Sequence, residues 1–163
     1  MIRIRDANPA DFAELHRLNN ANTPHVNELR LQELEQLCGW AADVAIAEVD
    51  SCVAGFVIAL RQGLTYSSLN YRYFDERFEE FVYIDRVVVG AQYRRRGIAS
   101  ALYDRVESIG EQPVTCEVNL RPTNPGSMSF HRSRGYVDLG TQTVGDKEVV
   151  LMYRTPTGLP LGE

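Results

Sequence analysis

Hydrophobic and polar residues change their spacing several times along the chain, and each change predicts an element. The alternation in IRIR, residues 2–5, predicts a short strand, and Asn8-Pro9 then opens a helix. A second helix is predicted after NTPH, with Gly39 as its end. The runs VAIAEV and VAGFVIAL, joined by Asp50-Ser51, are typical of an antiparallel hairpin.

The second half of the chain alternates strands with helices. Residues 81–89, FVYIDRVVV, are apolar at nearly every position, as expected of a strand covered on both faces. An amphipathic helix ending near Gly110 follows, and then the strand VTCEVN. A helix opened by Asn124-Pro125 and a hairpin around Gly145-Asp146 complete the order. We therefore expect one α/β (α+β) domain with a mixed sheet over residues 1–163.

One segment breaks this regularity. Residues 63–80, GLTYSSLNYRYFDERFEE, carry aromatic residues without a clean period. The segment is longer than an ordinary connection, and its aromatic content argues against disorder. We therefore expect an ordered insertion with a functional role.

Composition and charge narrow the classes of function. A chain of 163 residues with a formal net charge of −5 has the size of one domain and lacks the broad basic face of a general nucleic-acid binder. Its three cysteines are far apart and follow neither disulfide nor zinc spacing. No leader or membrane span is apparent. We expect a cytoplasmic protein that binds no metal, nucleic acid or membrane.

The densest positive charge lies where a strand ends and a helix begins. Arg94, Arg95 and Arg96 come just before the predicted helix, whose N-terminus already carries a partial positive charge. The arrangement is understandable if a polyanion binds there, because backbone N–H groups and guanidinium groups would converge on phosphate and Gly97 would admit a close approach. The alternative is a solvated surface turn.

Sequence motifs distinguish the known types of phosphate-binding loop. Neither GxxxxGK[ST] nor GxGxxG is present, whereas Arg94-x-x-Gly97-x-Ala99 is. In this motif the sequence resembles the GNAT (GCN5-related N-acetyltransferase) superfamily, whose signature is Q/R-x-x-G-x-G/A between a strand and a helix. Downstream, NPGSMSFHRSRGY is similar to a second GNAT box, N-x-x-S/A-x-x-F/L-Y-x-x-x-G-F. YIDRVVV and CEVN are also similar to a bacterial group of predicted acetyltransferases.

This resemblance implies a fold and a cosubstrate. It implies a mixed, mostly antiparallel central sheet flanked by helices, with a splay between the fourth and fifth strands. It also implies acetyl-CoA as cosubstrate, with pantetheine paired to the backbone of the strand end and pyrophosphate held by the loop. The cofactor-binding residues implied in this way are Val87, Val88, Val89, Arg94, Arg95, Arg96, Gly97, Ile98, Ala99, Ser100, Asn124, Ser127 and Phe130.

Amine acetylation needs a base, because an amine is protonated at neutral pH and then has no lone pair. In VTCEVN, Thr115, Glu117 and Asn119 alternate on the outward face, and Glu117 resembles the base of N-terminal acetyltransferases of the superfamily. Asp85 is the rival, because other GNAT proteins carry their acid on that strand. A salt bridge, for Asp85 with a neighbouring arginine, is the alternative for both.

His131 stands where the superfamily commonly has a tyrosine that protonates the leaving thiolate. We expect Phe130 to point into the core and His131 to turn toward the cofactor sulfur and act as the acid. The alternative places His131 on an exposed helix face. The connection from Glu117 to Asn124 is also longer than in the related pattern.

The resemblance implies an N-acetyltransferase acting on a small-molecule or peptide amine by direct attack in a ternary complex. A protein of this fold that binds acyl-CoA without turnover, as a sensor or regulator, is the other possibility. Residues 63–80 are expected to form a wall or lid of the acceptor pocket, because aromatic faces and carboxylates suit a cationic amine. Packing on the core or a homodimer contact is the alternative for this segment.

Overall fold

The computed structural model describes residues 1–156, so the last part of the predicted domain, 157–163, lies outside the described residues. The described strands are β1 (Ile2–Asp6), β2 (Asp43–Val49), β3 (Cys52–Arg61), β4 (Val82–Val89), β5 (Val114–Arg121), β6 (Val137–Val144) and β7 (Lys147–Arg154). The described α-helices are α1 (Phe12–Asn20), α2 (Leu31–Trp40), α3 (Leu69–Asp75), α4 (Ile98–Glu107) and α5 (Pro125–Ser133).

The strands form a seven-stranded sheet in the order β1-β2-β3-β4-β5-β7-β6. β1–β2, β2–β3, β5–β7 and β6–β7 are antiparallel, and β4 runs parallel to β5. The β4–β5 register comprises Val82↔Val114 and Tyr83↔Thr115 in the described residues, which is consistent with the predicted splay. The prediction of a single α/β domain with a mixed, mostly antiparallel sheet is confirmed.

One compact unit contains Met1–Leu60 and Ile84–Ile109. Its core is apolar, with Leu15, Leu34 and Ile46 among its fully buried side chains. The β2–β3 turn places Asp50 and Ser51 at φ values of 51° and 64°, the left-handed pair that a two-residue hairpin requires.

Close contact between strands in the same unit depends on Gly55 of β3. A Cβ added to Gly55 would lie 2.6 Å from the Val88 carbonyl oxygen, so only glycine fits there.

The other compact unit contains Arg61–Tyr83 and the described chain from Gly110 onward. An aromatic cluster fills much of its interior, with Tyr71, Phe74, Phe81 and Tyr83 buried. Gly140 of β6 makes room for α3, because a Cβ there would lie 2.2 Å from the Tyr73 hydroxyl oxygen. The β6–β7 register shifts between Asp138 and Gly140, which is typical of a bulge at a close approach.

Three details differ from the sequence-based expectations. α2 continues through Gly39 to Trp40, and α4 ends at Glu107 rather than near Gly110. Thr115, expected on an outward face, is buried, and its hydroxyl is satisfied there because it donates to the Val82 carbonyl oxygen at 3.1 Å.

Candidate active site

The turn between β4 and α4 is built by left-handed backbone. Arg95 has φ of 64°, and Gly97, the N-cap of α4, has φ of 81°. Gly97 has no side chain to cap the helix, and the first-turn N–H groups of any α-helix lack intrahelical partners. We call residues 94–100 the phosphate loop. It presents backbone donors and the positive end of the helix dipole together.

The three arginines of the phosphate loop are exposed. The Arg94 Nη2 atom donates to Asn22 Oδ1 at 2.9 Å, and the Arg96 guanidinium lies 5.7 Å from the Tyr93 ring centroid. Neither of these contacts neutralises the charge. Of the remaining predicted residues here, Ile98 is buried, whereas Ala99 and Ser100 are half-buried.

The end of β4 directs alternate backbone groups to opposite sides. Gly90 N–H donates to the Ala54 carbonyl of β3 at 2.8 Å. Because successive residues of a strand alternate, the backbone groups of Val88 also point toward β3, and those of Val87 and Val89 point away from it. Val87 and Val89 are therefore the two predicted pantetheine partners whose backbone groups face away from β3.

Asp85 lies in a buried ion pair. Its Oδ2 accepts from Arg86 Nε at 3.0 Å, and the two side chains are 3% and 8% exposed. Arg86 Nη1 also donates to Asn19 Oδ1 at 2.9 Å. This geometry agrees with the salt-bridge alternative for Asp85 and makes Asp85 the weaker candidate for a base.

Glu117 is half-buried on β5, and its carboxylate accepts from the Tyr83 hydroxyl. The second carboxylate oxygen, Oε2, lies 3.1 Å from the same hydroxyl. Because Tyr83 pairs with Thr115, Glu117 is its diagonal neighbour, within reach of a long aromatic side chain. Sequence reasoning missed Tyr83, because the contact depends on the register between β4 and β5.

The start of α5 uses Asn124 as a cap. Asn124 Oδ1 accepts from Ser127 N–H at 3.1 Å, as the Asn-Pro pattern predicts. Asn124 is exposed and Ser127 is half-buried.

Phe130 and His131 differ in burial, and His131 is the more buried of the two rings. His131 is buried and Phe130 is half-buried, so Phe130 is less enclosed than expected and His131 does not lie on the exposed helix face given as its alternative. The His131 ring packs edge-on against Phe130 and Tyr136, with centroids 5.3 and 5.4 Å away. Its Nδ1 lies 2.7 Å from the Ser127 carbonyl oxygen, which can only accept, so Nδ1 carries a proton. In the neutral ring, Nε2 is then the acceptor.

Residues 63–80 contain a helix, α3, that the irregular pattern did not predict. Tyr71 is fully buried, donates to the Arg61 carbonyl oxygen at 2.6 Å and packs edge-on against Tyr83 at 5.6 Å. Burial raises the pKa of its phenol. Tyr71 therefore cannot line an acceptor pocket with its ring, which agrees with packing on the core.

The described residues form neither a membrane-spanning helix nor a metal-binding cluster. None of the helices formed by residues 1–156 is long and apolar enough to span a membrane. Within those same residues, no cluster of three or more His, Cys, Asp or Glu side chains is arranged to hold a metal ion.

Residues 11–136 match the model of the acetyltransferase (GNAT) family. The chain belongs to this family. The match extends over the phosphate loop, Glu117 and His131, and ends at Tyr136 of the second GNAT box. No curated protein is a significant match to the sequence.

Solved structures of GNAT proteins share the fold along almost the whole chain. Ard1 from Thermoplasma volcanium is 20% identical with a TM-score of 0.74, covering 94% of this chain and 97% of its own. NAA60 from Arabidopsis thaliana in complex with acetyl-CoA is 20% identical with a TM-score of 0.74, covering 95% and 99%. Naa20 from Chaetomium thermophilum in complex with a bisubstrate analogue is 18% identical with a TM-score of 0.75, covering 96% and 87%. These similarities show the fold.

Proposed function

We propose that this GNAT protein transfers an acetyl group from acetyl-CoA to a primary amine of a small molecule or a peptide N-terminus. The observation that carries the proposal is the phosphate loop, in which two left-handed residues and three exposed arginines surround a helix N-terminus. The family supports acetyl transfer, and a structural neighbour solved with acetyl-CoA supports the cosubstrate. Neighbours solved with bisubstrate analogues support an acceptor attacked directly in a ternary complex.

The phosphate loop is proposed to hold the pyrophosphate through the first-turn N–H groups of α4 and the guanidinium groups. Val87 and Val89 are proposed to pair with the pantetheine arm, because their backbone groups face away from β3. One of these N–H groups would also donate to the thioester carbonyl oxygen. Such a donor is worth about 2.7–4 kcal/mol in other acyl-transfer sites.

Glu117 is proposed as the base that takes a proton from the ammonium group of the acceptor. The released lone pair attacks the thioester carbon and the C–N bond forms. As the C–S bond breaks, CoA leaves as the thiolate and the new amide nitrogen gives its remaining excess proton to solvent. Tyr83 donates to the Glu117 carboxylate and restricts its orientation. Asp85 remains the rival, although its ion pair with Arg86 opposes that role.

His131 is proposed to protonate the departing thiolate. Because Nδ1 donates to the Ser127 carbonyl, the proton must come from Nε2 of the doubly protonated ring. An imidazolium with a reference pKa of about 6.5 can protonate a thiolate whose thiol has a pKa of about 8.5. The Ser127 carbonyl therefore determines which ring nitrogen of His131 can donate the proton.

The test is amine-dependent release of the CoA thiol from acetyl-CoA, measured across amines, amino acids, polyamines and peptides. We expect turnover with at least one class, and Glu117→Gln should lower kcat by about 10²- to 10⁴-fold with acetyl-CoA affinity retained. Glu148→Gln, a half-buried glutamate on β7, is the matched control and should retain kcat.

Two outcomes would contradict the proposal. Binding of acetyl-CoA without release of thiol for any amine would favour an acyl-CoA-binding sensor or regulator. A folded Asp85→Asn variant that loses kcat, beside an active Glu117→Gln variant, would transfer the base to Asp85.

A further inference from the structure

Asn22 is a buried side chain that contacts the phosphate loop. It is 7% exposed and lies between α1 and α2. Its Nδ2 donates to the Leu18 carbonyl oxygen at 2.8 Å, and its Oδ1 accepts from Arg94 Nη2 at 2.9 Å. Because Nδ2 is held by a carbonyl, the amide can present only its oxygen to Arg94.

The chain around Asn22 is itself firmly held. Leu29 N–H donates to Asn20 Oδ1 at 3.0 Å, and Asn20 Nδ2 donates back to the Leu29 carbonyl at 2.9 Å. These two hydrogen bonds join the ends of the connection between α1 and α2. Asn19 Nδ2 donates to the Asn27 carbonyl at 3.0 Å, and Arg86 donates to the other end of the same Asn19 amide. Asn22 therefore belongs to a well-anchored segment.

The amide partner of Arg94 differs in kind from the carboxylate partners of Arg5 and Arg105 in the same compact unit. Arg5 pairs with Asp11 and Glu48, and Arg105 pairs with Asp6 and Asp43. These carboxylates neutralise the guanidinium charge. The neutral oxygen of Asn22 orients Arg94 and leaves its charge and most of its five N–H donors for another ligand.

The surroundings of Arg94 explain why a partner that orients its side chain would favour anion binding. It is exposed, its sequence neighbours Arg95 and Arg96 repel it, and the N-terminal dipole of α4 opposes it. A long, mobile side chain of this kind loses rotamer freedom when it binds an anion. A partner that restricts the side chain beforehand lowers that entropic cost.

We propose that Asn22 is a positioning residue for CoA, which orients Arg94 toward the pyrophosphate. This inference rests on the proposed function, because it requires the phosphate loop to bind CoA. It assigns a binding role to a residue outside the loop and outside both GNAT boxes.

The test is a double-mutant cycle on acetyl-CoA affinity, measured by calorimetry at fixed ionic strength. We expect Asn22→Ala to weaken binding about tenfold, equivalent to about 1.4 kcal/mol. In an Arg94→Ala background the same change should have no further effect, because Asn22 acts through Arg94.

The Asn22→Ser variant distinguishes a role of Asn22 in positioning Arg94 from a role in the stability of the fold. A serine hydroxyl can donate to the carbonyl four residues earlier, so it preserves the Leu18 bond but is too short to orient Arg94. We expect a melting temperature near that of the wild type with the same loss of affinity as Asn22→Ala. Thr23→Ala, which removes a hydroxyl bonded to the Asn20 carbonyl, is the control and should keep full affinity.

Unchanged affinity in Asn22→Ser, or equal losses in both backgrounds of the cycle, would overturn the positioning role while leaving the proposed function intact. A wild-type protein that binds no acetyl-CoA would instead refute the proposed function, and with it the role of Asn22.

Discussion

The phosphate loop and residues 63–80 are the two most unusual stretches of the sequence, and their environments are opposite. The arginines of the phosphate loop are exposed, and a neutral amide contacts Arg94. In residues 63–80, by contrast, Tyr71 and Phe74 are fully buried. The charges of the phosphate loop lie at the surface, whereas two of the five aromatic residues of 63–80 lie in the core.

The comparison shows which unusual features of a sequence indicate a ligand-binding site. Three arginines at a helix N-terminus are electrostatically unfavourable, because they repel one another and the positive end of the helix dipole. The contacts of Arg94 with Asn22 and of Arg96 with Tyr93 do not remove this repulsion, because both partners are uncharged. Aromatic residues in an irregular segment have a simpler explanation, because burial of their apolar surface stabilises the fold. The aromatic segment still serves the site indirectly, since Tyr71 and Phe74 pack against Tyr83, which donates to Glu117.

The largest expected effect is on stability. Tyr71→Ala should lower the free energy of unfolding by about 3–5 kcal/mol, because a fully buried aromatic ring is lost. Urea denaturation measures this change, and Tyr66→Ala, at a half-buried position, should cost less. If Tyr71→Ala left stability intact and raised the acceptor KM, the segment would be a lid after all.

Two glycines with nearly the same positive φ angle provide a matched pair of positions for substitution. Gly97 and Gly63 have φ values of 81° and 83°, and an added Cβ would meet nothing within 4 Å at either. Each change to alanine should therefore cost about 1–2 kcal/mol of stability. Only Gly97→Ala should also weaken acetyl-CoA binding, since it strains the backbone of the phosphate loop. Equal affinities of the two variants, measured by calorimetry, would remove the distinction between the two regions.

The smallest expected effect appears at alkaline pH. Burial raises the pKa of Tyr71, whereas an unfolded chain loses phenolic protons near pH 10. The stability from this group is therefore complete below about pH 10 and falls as the pH rises toward the raised value. Chemical denaturation at several alkaline pH values should show a shallower fall for Tyr71→Phe than for the wild type. Parallel curves would mean that Tyr71 titrates normally.

Local patterns predicted most of the fold and the position of residues 94–100 between a strand and a helix. Strand alternation, the Asp50-Ser51 turn and the Asn124 cap depend on neighbouring residues, and each is present in the structure. The short helix α3 was missed because its aromatic residues mask any helical period in a seven-residue span.

Contacts that depend on register or helix phase were not predictable. Tyr83 reaches Glu117 only because β4 and β5 pair in parallel at Tyr83↔Thr115, a register that neither strand encodes alone. The buried ring of α5 is His131 rather than Phe130, because one step around the helix turns a side chain by about 100° and two adjacent aromatic rings fit the same pattern. Asn22 carried no local signal for its contact with Arg94.

The most direct test of the central claim is titration of acetyl-CoA against two charge-matched double variants. Arg95→Ala/Arg96→Ala removes two exposed charges from the phosphate loop, and Arg72→Ala/Arg77→Ala removes two from residues 63–80. We predict that the first variant binds at least about tenfold more weakly and shows a flatter salt dependence, because charge-assisted contacts of about 1.5–3 kcal/mol each are lost. The second should bind like the wild type. Equal affinities of the two variants would contradict the assignment of the phosphate loop as the acetyl-CoA site.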